Sequence, residues 1–208
     1  MAGLRERQKA DRDRRILHAA VTRFRADGYR AVRIEDLARA AGVSVGTLYN
    51  YYRNKGDILI ATVTMEVEEV LGAGEAVVAE PPRGVEDALS ALIFGYYDHS
   101  QEYLSKEMWR SAMALSIEAP DTPNGRRYTD LDRRLAQQVV RLIRRLAARG
   151  DVQPGLDSAA VGQVLFNTLN MEFIEFVKDE AMTLPALRAR MAAQIRPIAR
   201  LIAGKEEG

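Results

Sequence analysis

Groups that bind phosphates and base edges are concentrated in one short stretch of this chain. Residues 42–55 have the sequence GVSVGTLYNYYRNK, in which hydroxyls, phenols and amides precede a terminal lysine. DNA phosphates accept hydrogen bonds, and the bases present polar edges and methyl groups in the major groove. The side chains of this stretch are therefore suited to contact with a nucleic acid duplex.

The residue types that perform covalent and metal chemistry are scarce by comparison. The chain has no cysteine, which excludes a disulfide, a thiolate zinc site and a cysteine nucleophile. Its two histidines, His18 and His99, stand far apart, and neither an HExxH nor a GxSxG motif occurs. We therefore predict a protein that is not an enzyme and has no metal or cofactor. A helical enzyme is the alternative, in which carboxylates such as Glu172 and Glu175 would do acid–base work in a pocket.

The elements that must position residues 42–55 are two short helices joined by a tight turn. A helical run ends at Ala41, and Gly42 is suited to the left-handed conformation that ends a helix. Ser44 can accept hydrogen bonds from the first free amides of a second helix. The pattern predicts a helix-turn-helix whose second helix lies within residues 44–52. Three residues at suitable spacings are predicted to anchor that helix inward: Val43, Leu48 and Tyr52.

From about Arg14 to Lys55 the sequence resembles the DNA-binding domain of the tetracycline-repressor (TetR) type of transcriptional regulator. The motif residues that carry this resemblance are Ile16-Leu17-His18-Ala19-Ala20, Phe24, Gly28-Tyr29, Leu37-Ala38, Ala41-Gly42-Val43-Ser44, Gly46-Thr47-Leu48-Tyr49, Tyr51-Tyr52 and Lys55. Beyond Lys55 only the length and the helical pattern are similar. The resemblance implies an all-α protein, with an N-terminal three-helix helix-turn-helix domain and a C-terminal helical domain for ligand binding and dimerisation.

Position within the family motif implies which side chains touch DNA. Phosphate contacts are implied for Thr47, Tyr49 and Lys55. The residues predicted to face the bases are Ser44, Val45, Gly46, Asn50 and Tyr51. Among these, Gly46 has no side chain and would let the helix approach the DNA closely.

Arg33 departs from the family's common pattern, because threonine or serine usually caps the helix that begins there. A guanidinium has no acceptor for the free amides, so we expect a weaker cap. The same position places a cation near the expected DNA backbone, and Arg33 is predicted to contact a phosphate or a base. A plain surface arginine is the alternative.

Charge is segregated along the chain although the net charge is only +1. Residues 1–55 hold 13 lysines and arginines against 6 acidic residues, whereas residues 56–208 hold 17 against 23. A positive segment around the helix-turn-helix favours DNA binding that weakens steeply with salt. For the arginines within residues 133–145 we prefer a solvated helix face to a second nucleic-acid patch.

Turn residues and helical spacings divide the chain further. Residues 1–11 are expected to form a partly disordered basic arm, which either adds phosphate contacts or has no role, before a helix over residues 13–26. Asn54 and Asp57 indicate a capped connecting helix, which is predicted to end in a linker formed by Gly72–Gly74 and the Pro81-Pro82-Arg83-Gly84 breaker. The predicted domains are residues 1–56 for DNA binding and residues 57–208 for ligand binding and dimerisation, with residues 57–80 as connecting helix and linker.

Two C-terminal helices are more apolar than one small domain needs. Asp157 or Ser158 can cap the first of them, and Thr183 can cap the second. Such helices suit a four-helix interface between two copies of the chain, and the resemblance implies the same homodimer. One short helix in each copy would then contact palindromic operator DNA with half-sites about 34 Å apart, or a multiple of it. The alternative is that these faces close the core of a single chain.

A ligand pocket in a helical domain would be lined mainly by apolar and aromatic side chains with a few polar groups. The candidates are Tyr96, Tyr103, Met108, Trp109, Met113, Phe166, Asn170 and Phe173. Aromatic and methionine residues at helical spacing also form ordinary cores. Asn170 is the most informative, because an amide on an apolar face needs a hydrogen-bond partner.

These patterns together predict a homodimeric repressor that binds double-stranded operator DNA and is released by a small hydrophobic or aromatic effector. No apolar run approaches the roughly 20 residues that span a bilayer. The charged N-terminus lacks the apolar core of a signal peptide, so we expect no membrane association and a cytoplasmic protein. A non-sensing architectural DNA-binding protein is the alternative that uses the same helix-turn-helix.

Overall fold

The computed structural model describes residues 2–204, apart from the side chains of residues 2, 4 and 5. Within that range the chain forms nine α-helices and no strand, which confirms the expected all-α fold. The helices are α1 (Ala2–Asp27), α2 (Ile34–Ala40), α3 (Val45–Tyr49), α4 (Lys55–Ala79), α5 (Val85–His99), α6 (Lys106–Glu118), α7 (Pro123–Arg149), α8 (Ser158–Lys178) and α9 (Leu184–Ile202). None of these helices is long and apolar enough to cross a membrane.

The helices belong to two compact units, and each unit is built from two separate segments of the chain. The first unit comprises Met1–Glu66 and Tyr103–Thr129, and the second comprises Val67–Glu102 and Asp130–Gly208. α4 and α7 therefore each contribute to both units. The functional division at residue 56 stays a prediction, and the compact units follow a different division in which α6 belongs with α1–α3.

α1 begins at Ala2, so the disordered arm that we expected is wrong for residues 2–11. Residue 1 lies outside the described residues. The first turns are rich in Ala, Arg, Glu, Gln and Lys, which favour a helix. An ion pair between Asp11 and Arg15, with Oδ2 and Nε 3.8 Å apart, adds local support. Residues 6–12 are exposed on all sides, which explains why no apolar periodicity revealed this part of the helix.

α2 and α3 form the predicted helix-turn-helix. Gly42 has a φ of +64°, a left-handed conformation that glycine adopts easily. The Oγ atom of Ser44 accepts a hydrogen bond of 3.0 Å from Thr47 N and so caps α3. Leu48 and Tyr52 are buried, and both fix the inner side of α3. The predicted turn, cap and two of the three anchors are confirmed, while the third anchor, Val43, is half-buried.

α4 runs without a break from Lys55 to Ala79, so the helix end predicted at Gly72–Gly74 is wrong, whereas the breaker predicted at residues 81–84 is confirmed between α4 and α5. The capping pair at its start is confirmed, because Asn54 Oδ1 accepts a hydrogen bond of 2.9 Å from Asp57 N. Gly74 does not break the helix but allows α7 to pack closely against it, since a Cβ atom there would lie 2.8 Å from Cδ of Gln138 on α7. The helix ends only where two prolines follow at positions 81 and 82.

Two tyrosines of α5 organise the interior of the second unit. Tyr97 donates a 2.8 Å hydrogen bond to the carbonyl of Leu169 on α8 and stacks on Phe173, with ring centroids 6.2 Å apart. Tyr96 donates a 2.6 Å hydrogen bond to Oε1 of the buried Gln138, whose amide in turn donates to a carbonyl of α4. Burial raises the pKa of both phenols, so they remain neutral donors.

The arginine-rich side of α7 is paired with acidic residues of α4. Both guanidinium amino groups of Arg134 donate to Glu68, with the longer bond at 2.8 Å, and Arg141 pairs with Glu75. Exposed ion pairs of this kind contribute about 0–1 kcal/mol each. The arrangement favours the solvated-face interpretation over a second nucleic-acid patch.

Asp132 on α7 is expected to make the protein less stable as the pH rises from about 4 to about 6. Burial raises the pKa of its carboxyl to about 6, and within the described residues that carboxyl forms no hydrogen bond or ion pair. Over this range the folded state keeps the proton while the unfolded state loses it, which costs up to about 3 kcal/mol of unfolding free energy at pH 7. Asp132→Asn should recover about 2 kcal/mol at pH 7 and almost nothing at pH 4.

Urea unfolding of wild-type protein and variant between pH 4 and pH 8 measures this difference. Asp130→Asn is the matched control, because Asp130 is an exposed carboxylate on the same helix that pairs with Arg133 at 2.8 Å. A gain that is independent of pH, or an equal gain from the control, would contradict the assignment to Asp132.

Candidate nucleic-acid interface

α3 presents a short polar ridge on the first unit. The hydroxyls of Ser44 and Thr47 lie 2.8 Å apart, and the N-cap bond between the same two residues fixes the first turn. Tyr49 is 50% exposed although it is a large aromatic residue. We call the outer surface of this helix the α3 ridge; its exposed or half-buried residues are Ser44, Val45, Gly46, Thr47, Tyr49 and Asn50. The structure therefore brings six of the predicted DNA contacts together on one surface.

Gly46 is the residue of the α3 ridge that has no side chain. Its φ is not in the left-handed region, so other residues fit this backbone. A Cβ atom added there would meet only Ser44 Oγ, at 4.0 Å. Nothing in the described part of the chain therefore requires a glycine at this position. What the glycine provides is room for another molecule to approach the helix backbone.

Two tyrosines that follow α3 connect it to α1. Tyr52 Oη donates a 2.6 Å hydrogen bond to Asp13 Oδ1, and burial together with this carboxylate raises the pKa of Tyr52. Tyr51 is half-buried, and its Oη donates a longer hydrogen bond of 3.4 Å to the carbonyl of Lys9. The base contact of Tyr51 stays a prediction, because its hydroxyl is directed at α1 in this structure.

Lys55 stands at the start of α4 and is engaged within the first unit. Its Nζ donates to the carbonyls of Tyr29 at 2.7 Å, Val32 at 2.9 Å and Arg30 at 3.0 Å, which uses all three ammonium protons. The same ammonium lies 4.6 Å from the centroid of the Tyr29 ring. Burial lowers the pKa of Lys55, and the Glu107 carboxylate opposes that shift. The implied phosphate contact stays a prediction, and it would require Lys55 to leave one of these carbonyls.

Arg33 occupies the N-cap position of α2, and its side chain accepts no hydrogen bond from the helix, as its chemistry predicts. The side chain is 79% exposed, and its Nε lies 3.7 Å from Glu35 Oε2. An exposed pair at this distance holds the guanidinium only weakly. Arg33 is therefore available to an anion at the start of α2.

Arg33→Ala is expected to weaken DNA binding about 3- to 10-fold and to lower the slope of log K against log salt by about one unit, because one phosphate contact is lost. Anisotropy titrations at several salt concentrations give both quantities. Arg39→Ala is the control, since Arg39 lies at the opposite end of α2, is equally exposed and pairs with Asp36 at 3.4 Å. An unchanged affinity and slope for Arg33→Ala would leave Arg33 as a plain surface arginine.

The structure adds residues of α1 that the sequence analysis did not single out. A groove of about 400 Å³ runs between α1 and α3, and it is lined by Gln8, Lys9, Arg12, Thr47, Asn50 and Tyr51. Gln8 and Arg12 are four residues apart and so share one face of a helix. This four-residue spacing is visible in the sequence, but it places the two residues on one face only if residues 8–12 are helical.

The eight predicted effector contacts divide between the two compact units. Tyr103, Met108, Trp109 and Met113 belong to the first unit, and Tyr96, Phe166, Asn170 and Phe173 belong to the second. Tyr96 already has Gln138 as its hydrogen-bond partner. Asn170 is half-buried and forms no side-chain hydrogen bond within the described residues, so its amide is available to a ligand. An effector role for these eight residues stays a prediction.

Comparison with known proteins agrees with the geometry of the α3 ridge. Residues 16–62, which run from α1 through α2 and α3 into α4, match the family described as bacterial regulatory proteins, tetR family. The match marks this helix-turn-helix segment as TetR-like. Relatives of similar sequence include HTH-type transcriptional repressors and regulators.

Relatives extend the similarity along most of this chain. The fatty acid metabolism regulator protein of Bacillus subtilis (strain 168) is 26% identical over 181 residues, which are 84% of this chain and 88% of that protein. A TetR-family transcriptional regulator from Mesorhizobium loti MAFF303099 has a similar fold, with a TM-score of 0.73, 22% identity and coverage of 94% of this chain and 98% of the other. The transcriptional regulator FadR from Bacillus subtilis, solved in complex with stearoyl-CoA, has a TM-score of 0.65 at 20% identity and covers 87% of this chain and 96% of its own.

Proposed function

We propose that this chain is a homodimeric repressor that binds palindromic operator DNA through the α3 ridge and leaves the DNA when a small hydrophobic effector binds. The observation that carries the proposal is the construction of the ridge. Its five-residue helix is too short to be stable alone, and it is held by the Ser44 cap and the buried Leu48. A helix fixed on its inner side while its polar outer side stays exposed is suited to the major groove.

Exposed apolar side chains on α8 and α9 support dimerisation through these two helices. Val164 and Met171 lie two turns apart on α8 and are each 56% exposed, and Leu201 on α9 is 76% exposed. Removing apolar surface from water is favourable by roughly 25 cal/mol per Å². A twofold dimer would contain two α3 ridges, one from each copy, which matches the symmetry of a palindrome.

A hydrophobic effector is supported by the complex of the Bacillus subtilis regulator FadR with stearoyl-CoA. We extend to this chain only the class of ligand, a small molecule with a large apolar part. The eight predicted contacts are mostly aromatic or apolar, and Asn170 supplies a polar group that could orient such a ligand. Because the proposed target is chromosomal DNA, we place the protein in the cytoplasm.

Fluorescence anisotropy tests the proposal with a labelled duplex from upstream of the protein's own gene and a shuffled duplex of the same composition. Measurements at about 50 and 200 mM salt should show binding that prefers the native duplex by at least about 1000-fold and weakens steeply with salt. Equal, weak binding to both duplexes would contradict operator recognition at this sequence. In the same assay an acyl-CoA should release the bound DNA, whereas a protein that no effector releases would favour the architectural alternative.

A further inference from the structure

The N-terminal half of α1 is a part of the first unit that the proposed function does not yet use. The family match begins at residue 16, whereas α1 begins at Ala2. The residues before the match therefore add about four helical turns to this chain.

Residues 8–12 lie beside the α3 ridge. Gln8, Lys9 and Arg12 line one side of the groove of about 400 Å³, and Thr47 and Asn50 are among the residues on its other side. Thr47 is a predicted phosphate contact and Asn50 a predicted base contact. A duplex that reaches both residues would also come close to the α1 side of the groove.

Two hydrogen bonds from the residues after α3 hold this part of α1 in place. Tyr52 Oη donates to Asp13 at 2.6 Å, and Tyr51 Oη donates to the carbonyl of Lys9 at 3.4 Å. Asp13 directly follows Arg12 in the chain, and Lys9 precedes Arg12 by three residues. The position of Arg12 relative to the α3 ridge is therefore fixed from both sides.

Among the described residues, no acidic side chain pairs with the cationic groups on this side of the groove. The side chains of Lys9 and Arg12 form no hydrogen bond or ion pair in the part of the chain that the structure describes. The nearby Asp11 pairs instead with Arg15. Asp13 accepts a hydrogen bond from the Tyr52 hydroxyl.

We propose that Lys9 and Arg12 bind DNA phosphates, so that the N-terminal half of α1 widens the DNA footprint of the α3 ridge. This inference rests on the proposed function. A guanidinium binds a phosphate through two parallel hydrogen bonds, and an ammonium binds it as a point charge. Contacts to the backbone strengthen and position the complex without reading its sequence. Lys9 and Arg12 therefore add affinity on every duplex alike.

The test compares two double variants of the full-length protein. Lys9→Ala/Arg12→Ala removes two positive charges from the groove. Arg7→Ala/Arg14→Ala removes the same charge from the same helix, but Arg14 lies 200° around the helix from Arg12, and Arg7 lies on the same side as Arg14. Alanine favours a helix, so both variants should keep α1, which far-UV circular dichroism verifies.

Binding is measured by anisotropy over a range of salt concentrations, on a duplex that the wild-type protein selects from a randomised pool and on a shuffled duplex. The Lys9→Ala/Arg12→Ala variant should lose affinity about 10- to 30-fold on both duplexes, and its salt slope should fall by about 2, since each phosphate contact contributes about 0.9. The Arg7→Ala/Arg14→Ala variant should change the slope by less than half of that.

Each other result overturns the inference. Equal losses from the two double variants would mean that only net charge matters, and a loss confined to the selected duplex would mean that the residues contact bases rather than phosphates. An unchanged slope for Lys9→Ala/Arg12→Ala would leave the α3 ridge as the DNA contact and remove α1 from it. A wild-type protein that selects no sequence from the pool would instead overturn the proposed function, and this inference with it.

Discussion

Gly46→Leu is expected to reduce specific DNA binding at least about 100-fold while the protein stays folded. The glycine lies on the α3 ridge and its φ suits any residue. Among the residues that the structure describes, a Cβ atom there would meet only Ser44 Oγ, at 4.0 Å. A leucine side chain would therefore extend outward without disturbing the unit. It would occupy the space into which a base pair must come if the helix enters the major groove, and a loss of about 3 kcal/mol corresponds to the expected factor.

A series of side chains at position 46 separates steric exclusion from a change in the helix. Gly46→Ala should lose less than about 10-fold in affinity and gain up to about 1 kcal/mol in stability, because alanine favours a helix. Gly72→Leu is the control, since Gly72 is an exposed glycine of α4 with no atom within 4 Å of an added Cβ. Specific affinity that stays within about 3-fold of wild type for Gly46→Leu would show that DNA does not approach the helix at this point.

Features that depend on a few neighbouring residues were predictable from the sequence. Gly42, Ser44 and Asn54 were assigned correctly, because a left-handed turn residue or a capping oxygen acts on amides at most four positions away. The outward side of α3 follows from the same local geometry, since burying Leu48 leaves Thr47 and its neighbours outside. Helical rules of this range need no knowledge of the tertiary structure.

Features that depend on distant partners were not predictable. α1 extends to Ala2 although its first turns show no apolar periodicity, and residues more than 35 positions later, Tyr51 and Tyr52, hold it in place. Gly74 indicated a break, but its role is to admit Gln138 from α7. In both cases the deciding contact lies on another helix, which a reading of local spacing does not include.

Local spacing also does not distinguish effector contacts from core residues among the candidate effector residues. Aromatic and methionine residues at helical spacing look alike whether they line a core or a pocket. Tyr96 is bonded to Gln138, and Phe173 stacks on Tyr97, so packing accounts for both without a ligand. Asn170 forms no side-chain hydrogen bond among the described residues, so no such contact accounts for it.

Lys55→Met is expected to lower the free energy of unfolding by about 3 kcal/mol, the second large effect that the structure predicts. Methionine keeps the length and most of the apolar stem of lysine but has no donor. The carbonyls of Tyr29, Arg30 and Val32 would lose a shared ammonium that lies within 2.7–3.0 Å of each. Two of the three hydrogen bonds are partly buried, so water replaces the lost donor only incompletely.

Urea and thermal unfolding measure this loss, with Lys178→Met as the control. Lys178 is an exposed lysine of α8 whose Nζ pairs with Glu175 at 2.8 Å, so its replacement should cost less than about 0.5 kcal/mol. If Lys55→Met lowers the free energy of unfolding no more than Lys178→Met does, a structural role for the three hydrogen bonds from Lys55 to carbonyls is contradicted.

The salt dependence of DNA binding then decides what else Lys55 does. Its place in the family motif implies a phosphate contact, and removing one such contact lowers the salt slope by about 0.9. Its place in the structure implies that Lys55 supports the segment between α1 and α2. Losing this support alone would not change the salt slope of DNA binding. At a temperature where Lys55→Met is still folded, a fall in slope of about one unit would show that the ammonium leaves a carbonyl for DNA. A slope equal to that of wild type, with reduced stability, would show that Lys55 acts on DNA only by holding α4 against the turn that precedes α2.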